Sequence, residues 1–135
     1  MRQPFVLLIL GALGACSSTP IPPADPQHAW VDMYTTSGRL MMADRLDGKH
    51  LADGRYFQVT PGQHELVVRL DFEVFTGFNS GSFDRICYLT VPYNDFAAGQ
   101  RYRLEARVVV QRPEVRLYDA ERKIVATDRE LRCLN

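Results

Sequence analysis

Residues 64–74 read His64-Glu65-Leu66-Val67-Val68-Arg69-Leu70-Asp71-Phe72-Glu73-Val74, and the fold follows from how they alternate. Leu66, Val68, Leu70, Phe72 and Val74 fall on one side of an extended chain. Glu65, Arg69, Asp71 and Glu73 fall on the other, with Val67 the one apolar exception. Period-two alternation over this length marks a strand with one face in a core and one in water. Wound as a helix, the same residues present no single apolar stripe. Residues 101–111 repeat the pattern: Tyr102, Leu104, Ala106, Val108 and Val110 point one way, and Arg101, Arg103, Glu105 and Arg107 the other.

The flanking sequence is built the same way. Residues 30–36 and 39–46 read as strands, separated by Ser37-Gly38. Asp47-Gly48 is a dipeptide that tight hairpin turns prefer, and Asp53-Gly54 is a second such signal before Tyr56-Phe57-Gln58-Val59. Pro61-Gly62 carries type II turn chemistry. Residues 76–83 read as a loop containing Phe78 and Phe83. Residues 85–91 form a strand with Cys87, Leu89 and Val91 on one face, and residues 92–100 a further loop containing Tyr93 and Phe96. Arg112-Pro113 is expected to turn the chain into a last hairpin, 115–119 with 124–127, and 128–135 reads as a polar tail. The expected fold is all-β, an antiparallel β-sandwich of seven to eight strands over residues 29–135.

The amino terminus is organised differently. Residues 1–15 have a secretory layout: Arg2, an apolar run over 5–13, then small residues. The run is shorter than the roughly 20 residues a spanning helix needs. It ends in Leu13-Gly14-Ala15-Cys16, which resembles the lipobox of bacterial lipoproteins. That resemblance implies cleavage before Cys16, acylation of its thiol and its new amino group, and stable membrane attachment through more than one acyl chain. Ser17 and Ser18, with no Asp beside the cysteine, point by the same resemblance to the outer membrane, periplasmic face. Residues 17–27 hold four prolines, Pro20, Pro22, Pro23 and Pro26. Residues 16–28 therefore read as a lipidated cysteine with an extended tether.

Removal of residues 1–15 leaves 135 − 15 = 120 residues, one domain able to bury a core. Arg2 goes with the leader, so 15 basic and 16 acidic residues remain, a formal charge of −1. That balance gives no reason to expect a nucleic-acid partner. Cys87 and Cys133 are the two remaining cysteines, an even count that in an oxidising compartment reads as a disulfide; the alternative is two buried thiols.

Leu46-Asp47-Gly48-Lys49 and Val59-Thr60-Pro61-Gly62-Gln63-His64-Glu65-Leu66-Val67-Val68 resemble the PEGA-type β-sandwich modules and small envelope lipoproteins with transthyretin-like folds. Ala98-Gly99-Gln100-Arg101-Tyr102-Arg103-Leu104 echoes a loop-to-strand pattern of the same proteins. The resemblance implies a non-enzymatic envelope module and supplies no site residues.

Chemistry-bearing constellations are sparse. His28, His50 and His64 lack metal-ligand spacing, so no metal or cofactor is expected. There is no Gly-x-Ser-x-Gly elbow and no cysteine with an activating partner, so no enzyme is expected. Phe78, Phe83, Tyr93 and Phe96 are the candidate partner-binding residues; the competing expectation is that the rings fold back over the end of the sandwich. The functional expectation is an outer-membrane-anchored interaction or assembly module that binds another envelope protein. The alternative is a ligand binder or inhibitor of a cell-wall hydrolase.

Overall fold

A computed structural model describes residues 16–78 and 81–134; the expected leader, 1–15, lies outside the described residues. Ten strands follow: β1 (Ala29–Thr35), β2 (Leu40–Leu46), β3 (Lys49–His50), β4 (Phe57–Val59), β5 (Gly62–Phe75), β6 (Ser82–Phe96), β7 (Arg101–Val109), β8 (Arg112–Tyr118), β9 (Ile124–Thr127) and β10 (Glu130–Leu134). β3 and β4 are only two and three residues long, so eight strands carry the architecture. They make two five-stranded sheets, ordered β4-β1-β7-β8-β9 and β10-β6-β5-β2-β3. The chain is therefore the all-β sandwich that the alternation implies. One pair departs from the antiparallel expectation: β1 runs parallel to β7, from Trp30 opposite Arg101 to Thr35 opposite Ala106.

The core lies where the apolar faces meet. Leu66, Val68, Leu70, Phe72 and Val74 of β5 are buried, as are Cys87, Leu89 and Val91 of β6, Leu104 and Ala106 of β7, and Val115 and Leu117 of β8. Each large aliphatic side chain so buried stabilises the fold by about 1.5–3 kcal/mol before entropy is counted.

Three expectations about β6 and the chain after it are corrected. β6 does not end at Val91; it continues through Pro92 to Phe96. The amide and carbonyl of Glu65 both engage Asp47, on the side away from β6, and Glu65 stands opposite Pro92. The nitrogen of Pro92 thus faces the outer edge, beyond the last β10 pair at Thr90–Glu130, where a missing donor costs nothing. The hairpin after β7 turns at Val110-Gln111, not at Arg112-Pro113: both central residues take positive φ, 47° and 64°, and Pro113 is buried in β8. The expected polar tail contains β10, paired to β6 from Glu130–Thr90 to Leu134–Ile86.

Asp47-Gly48 is the turn its sequence implies, with φ of 49° and 81°. Asp53-Gly54 is not a hairpin turn. The Gly54 carbonyl accepts the Ala43 amide at 2.8 Å, and a Cβ there would sit 3.2–3.3 Å from Ala43 O and Met42 Cβ. Gly54 serves close approach rather than a positive φ. Cys87 and Cys133 are directly opposed on β6 and β10 and are joined as a disulfide.

Candidate functional site

Strand direction gives the sandwich two unlike ends. Residue 29 enters at one end, the near end, together with the turns at 47–48, 60–61, 97–100 and 119–123. The last residue before that entry is held to the domain, the Gly99 amide donating to the His28 carbonyl at 2.9 Å, and the segment turns on itself where Asp25 Oδ1 accepts the Gln27 amide at 2.8 Å. The far end carries the β1–β2, β5–β6 and β7–β8 connections.

The far end exposes several large apolar side chains. Phe75 is 71% exposed, Val110 94%, and Phe78 is fully exposed, with Phe83 and Val109 about half exposed. Gln111 Nε2 donates to the Phe75 carbonyl at 3.5 Å, which brings the β7–β8 turn of one sheet against the end of β5 in the other. Val110 is notable on two counts. A β-branched residue at positive φ is strained, and such turns ordinarily use Asn, Asp or Gly. The chain nevertheless presents an aliphatic side chain there, almost wholly in water. Large apolar side chains left in water at one end of a domain are a usual mark of a recognition surface.

Of the four candidate aromatics, the structure keeps two at this end and removes two. Phe78 and Phe83 are exposed there. Phe96 is 2% exposed and packs edge-on to Tyr93 and Tyr102, with ring centroids 4.8 and 5.0 Å away. Tyr102 Oη accepts the Ala97 amide at 3.1 Å, closing the near-end corner. Tyr93 and Phe96 are thus packing residues, because β6 runs further than its proline suggested. Phe75, Val109 and Val110 were missed by sequence reasoning. Phe75 and Val109 continue the outward, otherwise polar rows of β5 and β7, where alternation gives a residue to water without marking it as a contact, and Val110 sits in a turn that carries no turn signature.

The outer faces are polar and largely paired within themselves. Asp32 takes a bidentate contact from Arg101, at 2.6 and 2.9 Å, and the Trp30 indole N–H at 2.9 Å. The Arg101 guanidinium is the main reason the Asp32 carboxyl sits below its usual range, against a smaller opposing effect of burial. Arg101, Arg103 and Arg122 lie over Trp30, Tyr34 and Tyr118. The basic row Arg101, Arg103 and Arg107 is therefore a mixed face, each arginine set against a carboxylate.

On the opposite sheet a hollow of about 230 Å³ is lined by Asp44, Arg45, Glu65, Tyr88, Glu130 and Arg132 among others. It lies beside the bulge of β2 at Ala43–Arg45. The histidines stand apart: His64 Nδ1 donates to Asp47 Oδ2 at 2.6 Å, His50 Nδ1 is 3.6 Å from Asp44, and His28 Nδ1 is 2.9 Å from Asp25. Among the described residues no group of three or more His, Cys, Asp or Glu side chains is placed to hold a metal ion.

No family model, curated protein or solved structure matches this chain.

Proposed function

We propose that this protein is a lipid-anchored lipoprotein of the bacterial outer membrane that works as a non-catalytic interaction module, gripping another envelope protein with its far end. The observation that carries this reading is the set of exposed apolar side chains at that end, Phe75, Phe78, Phe83, Val109 and Val110, the last kept against local backbone preference. The anchor is supported by the Leu13-Gly14-Ala15-Cys16 resemblance and by the proline-rich segment that enters the domain at the opposite end. A module held at one end and apolar at the other presents its contact surface away from its attachment.

In-cell crosslinking of the full chain, with mass spectrometry of the captured proteins, tests it. One dominant envelope partner is expected, lost when Phe78 or Phe83 becomes Asp while the thermal midpoint is kept. Capture that is indifferent to both changes would remove the far end from the function.

A ligand-binding or hydrolase-inhibiting role is the second reading, and the hollow beside the β2 bulge favours it: charged side chains of both signs line a space of about 230 Å³ there, enough for a small polar group. Arg45→Ala with Arg132→Ala would then abolish binding of cell-wall glycan fragments or hydrolase inhibition, with the far end intact.

A further inference from the structure

We propose that the far end takes its partner as an added β-strand, an extended segment laid along the open edge of β6 at residues 82–85, in line with β10. This rests on the interaction-module reading and specifies its mode. The main-chain parity is fixed by three contacts. Glu65 turns its amide and carbonyl to Asp47, on the β2 side of β5. Along β5, odd-numbered residues from 65 to 73 therefore face β2 and even-numbered ones face β6. Phe72 opposes Arg85 and Val74 opposes Phe83, so Arg85 and Phe83 face β5 while Ser82 and Asp84 face outward. Thr90, of the same parity, already points outward: its carbonyl accepts the Arg129 amide at 2.8 Å.

β10 occupies that outer edge only from Thr90 to Ile86. Among the described residues no strand lies against residues 82–85, which leaves the amides and carbonyls of Ser82 and Asp84 as a free template. Exposed edges of this kind are where added strands pair. Side chains state what the added strand should carry. Phe83 lies on the core-facing side of β6, in phase with Cys87, Leu89 and Val91, yet is about half exposed among the described residues. Arg85, also on that side, has its Nε sheltered from solvent and without a hydrogen-bond partner among the described residues. An extended segment with apolar residues at alternate positions, and a carboxylate in the same row, would cover the first and satisfy the second.

The test is peptide display on the full chain, held by its amino-terminal segment and challenged with a random dodecamer library. Alternating apolar sequences with an acidic residue are expected to enrich, and to bind at least tenfold more weakly to Asp84→Pro than to Asp84→Ala. Proline at 84 removes an outward amide and leaves the β5 ladder intact, so the thermal midpoint should be nearly unchanged. The Ser82 and Asp84 amides should gain protection from hydrogen exchange on peptide binding. Binding by peptides without alternation, or binding indifferent to Asp84→Pro, would overturn the proposal. If Phe78→Asp abolishes partner crosslinking while Asp84→Pro preserves it, the far end remains the contact surface and strand addition is wrong. If neither substitution matters, both readings fall. Should Asp84→Pro unfold the chain, hydrogen exchange at Ser82 and Asp84 in the unaltered protein decides alone.

Discussion

Asp47 ties more of the near end together than its place in a two-residue turn suggests. Its Oδ1 accepts the Glu65 amide at 2.8 Å and its Oδ2 the His64 ring at 2.6 Å, while its own amide donates to the Glu65 carbonyl. Partial burial pushes the Asp47 carboxyl up, but the Glu65 amide and the His64 ring together outweigh it and hold the carboxyl below its usual range. A folded-state pKa below the unfolded value of about 3.9 stabilises the fold above that value, and the contribution is lost as pH falls through the folded pKa. Asp47→Asn should therefore lower stability at neutral pH by about 1 kcal/mol, the low end for a charged hydrogen bond because the side chain is half in solvent. Thermal melts of the two proteins, separated at pH 7, should converge as the pH drops below the unfolded carboxylate value. A gap that persists unchanged in acid would mean that the turn geometry, rather than the charge, is what Asp47 supplies. The turn itself was readable as Asp-Gly, whereas the carboxylate's second role was not, because its partners lie 17 and 18 residues away in sequence.

The strands divide into those written in alternation and those written in pairing. β5 and β7 were readable because each buries one full face, so a period of two survives in the residue types. β10 was not: Leu131 and Cys133 are its only inward residues against Glu130 and Arg132, too few to rise above a polar tail. Its place is secured by the disulfide from Cys133 to Cys87, which closes a separation of 46 residues. The chain-entropy argument gives about 4 kcal/mol for a loop of that length. Cys87→Ala with Cys133→Ala should lose up to that amount in urea unfolding, and the amides of β10 should exchange fastest. The β7–β8 hairpin makes the opposite prediction. Its turn lies two residues before the one Arg112-Pro113 implies, because proline is a chain breaker in sequence whereas Val110-Gln111 carries no turn signature at all. Val110→Asn puts a residue tolerant of positive φ where a β-branched one now stands, and should stabilise the fold by about 0.5–1 kcal/mol. Loss of stability instead would mean that the valine packs on Phe75 or Phe78 more firmly than its exposure implies. If the far end is the contact surface, the same variant should be more stable and bind worse, as is usual where a strained residue serves recognition.

The molecule as a whole is an axis with different chemistry at its two ends. β5 alone has 14 residues, about 45 Å at the rise of an extended strand, and most of the sandwich runs along it. Residues 16–28 join that axis at the near end, and exposed apolar side chains mark the far end. The two ends are joined by a packed core in which neither the tether nor the far-end rings take part. Attachment and recognition should therefore be separable by mutation. Cys16→Ser is expected to move the protein from the membrane pellet to the soluble fraction, since acylation supplies the only attachment in the proposed scheme. The change should leave the thermal midpoint where it was, because residue 16 touches nothing in the core. Partner crosslinking in cells should fall, because release from the membrane lowers the effective concentration of the far end near an envelope partner. At equal free concentrations in vitro the purified Cys16→Ser protein should bind as well as before, and Phe78→Asp should abolish binding in both backgrounds. A Cys16→Ser protein that stays in the pellet would show that something other than the thiol holds it there. One that binds poorly even at matched concentration would show that the tether belongs to the contact surface.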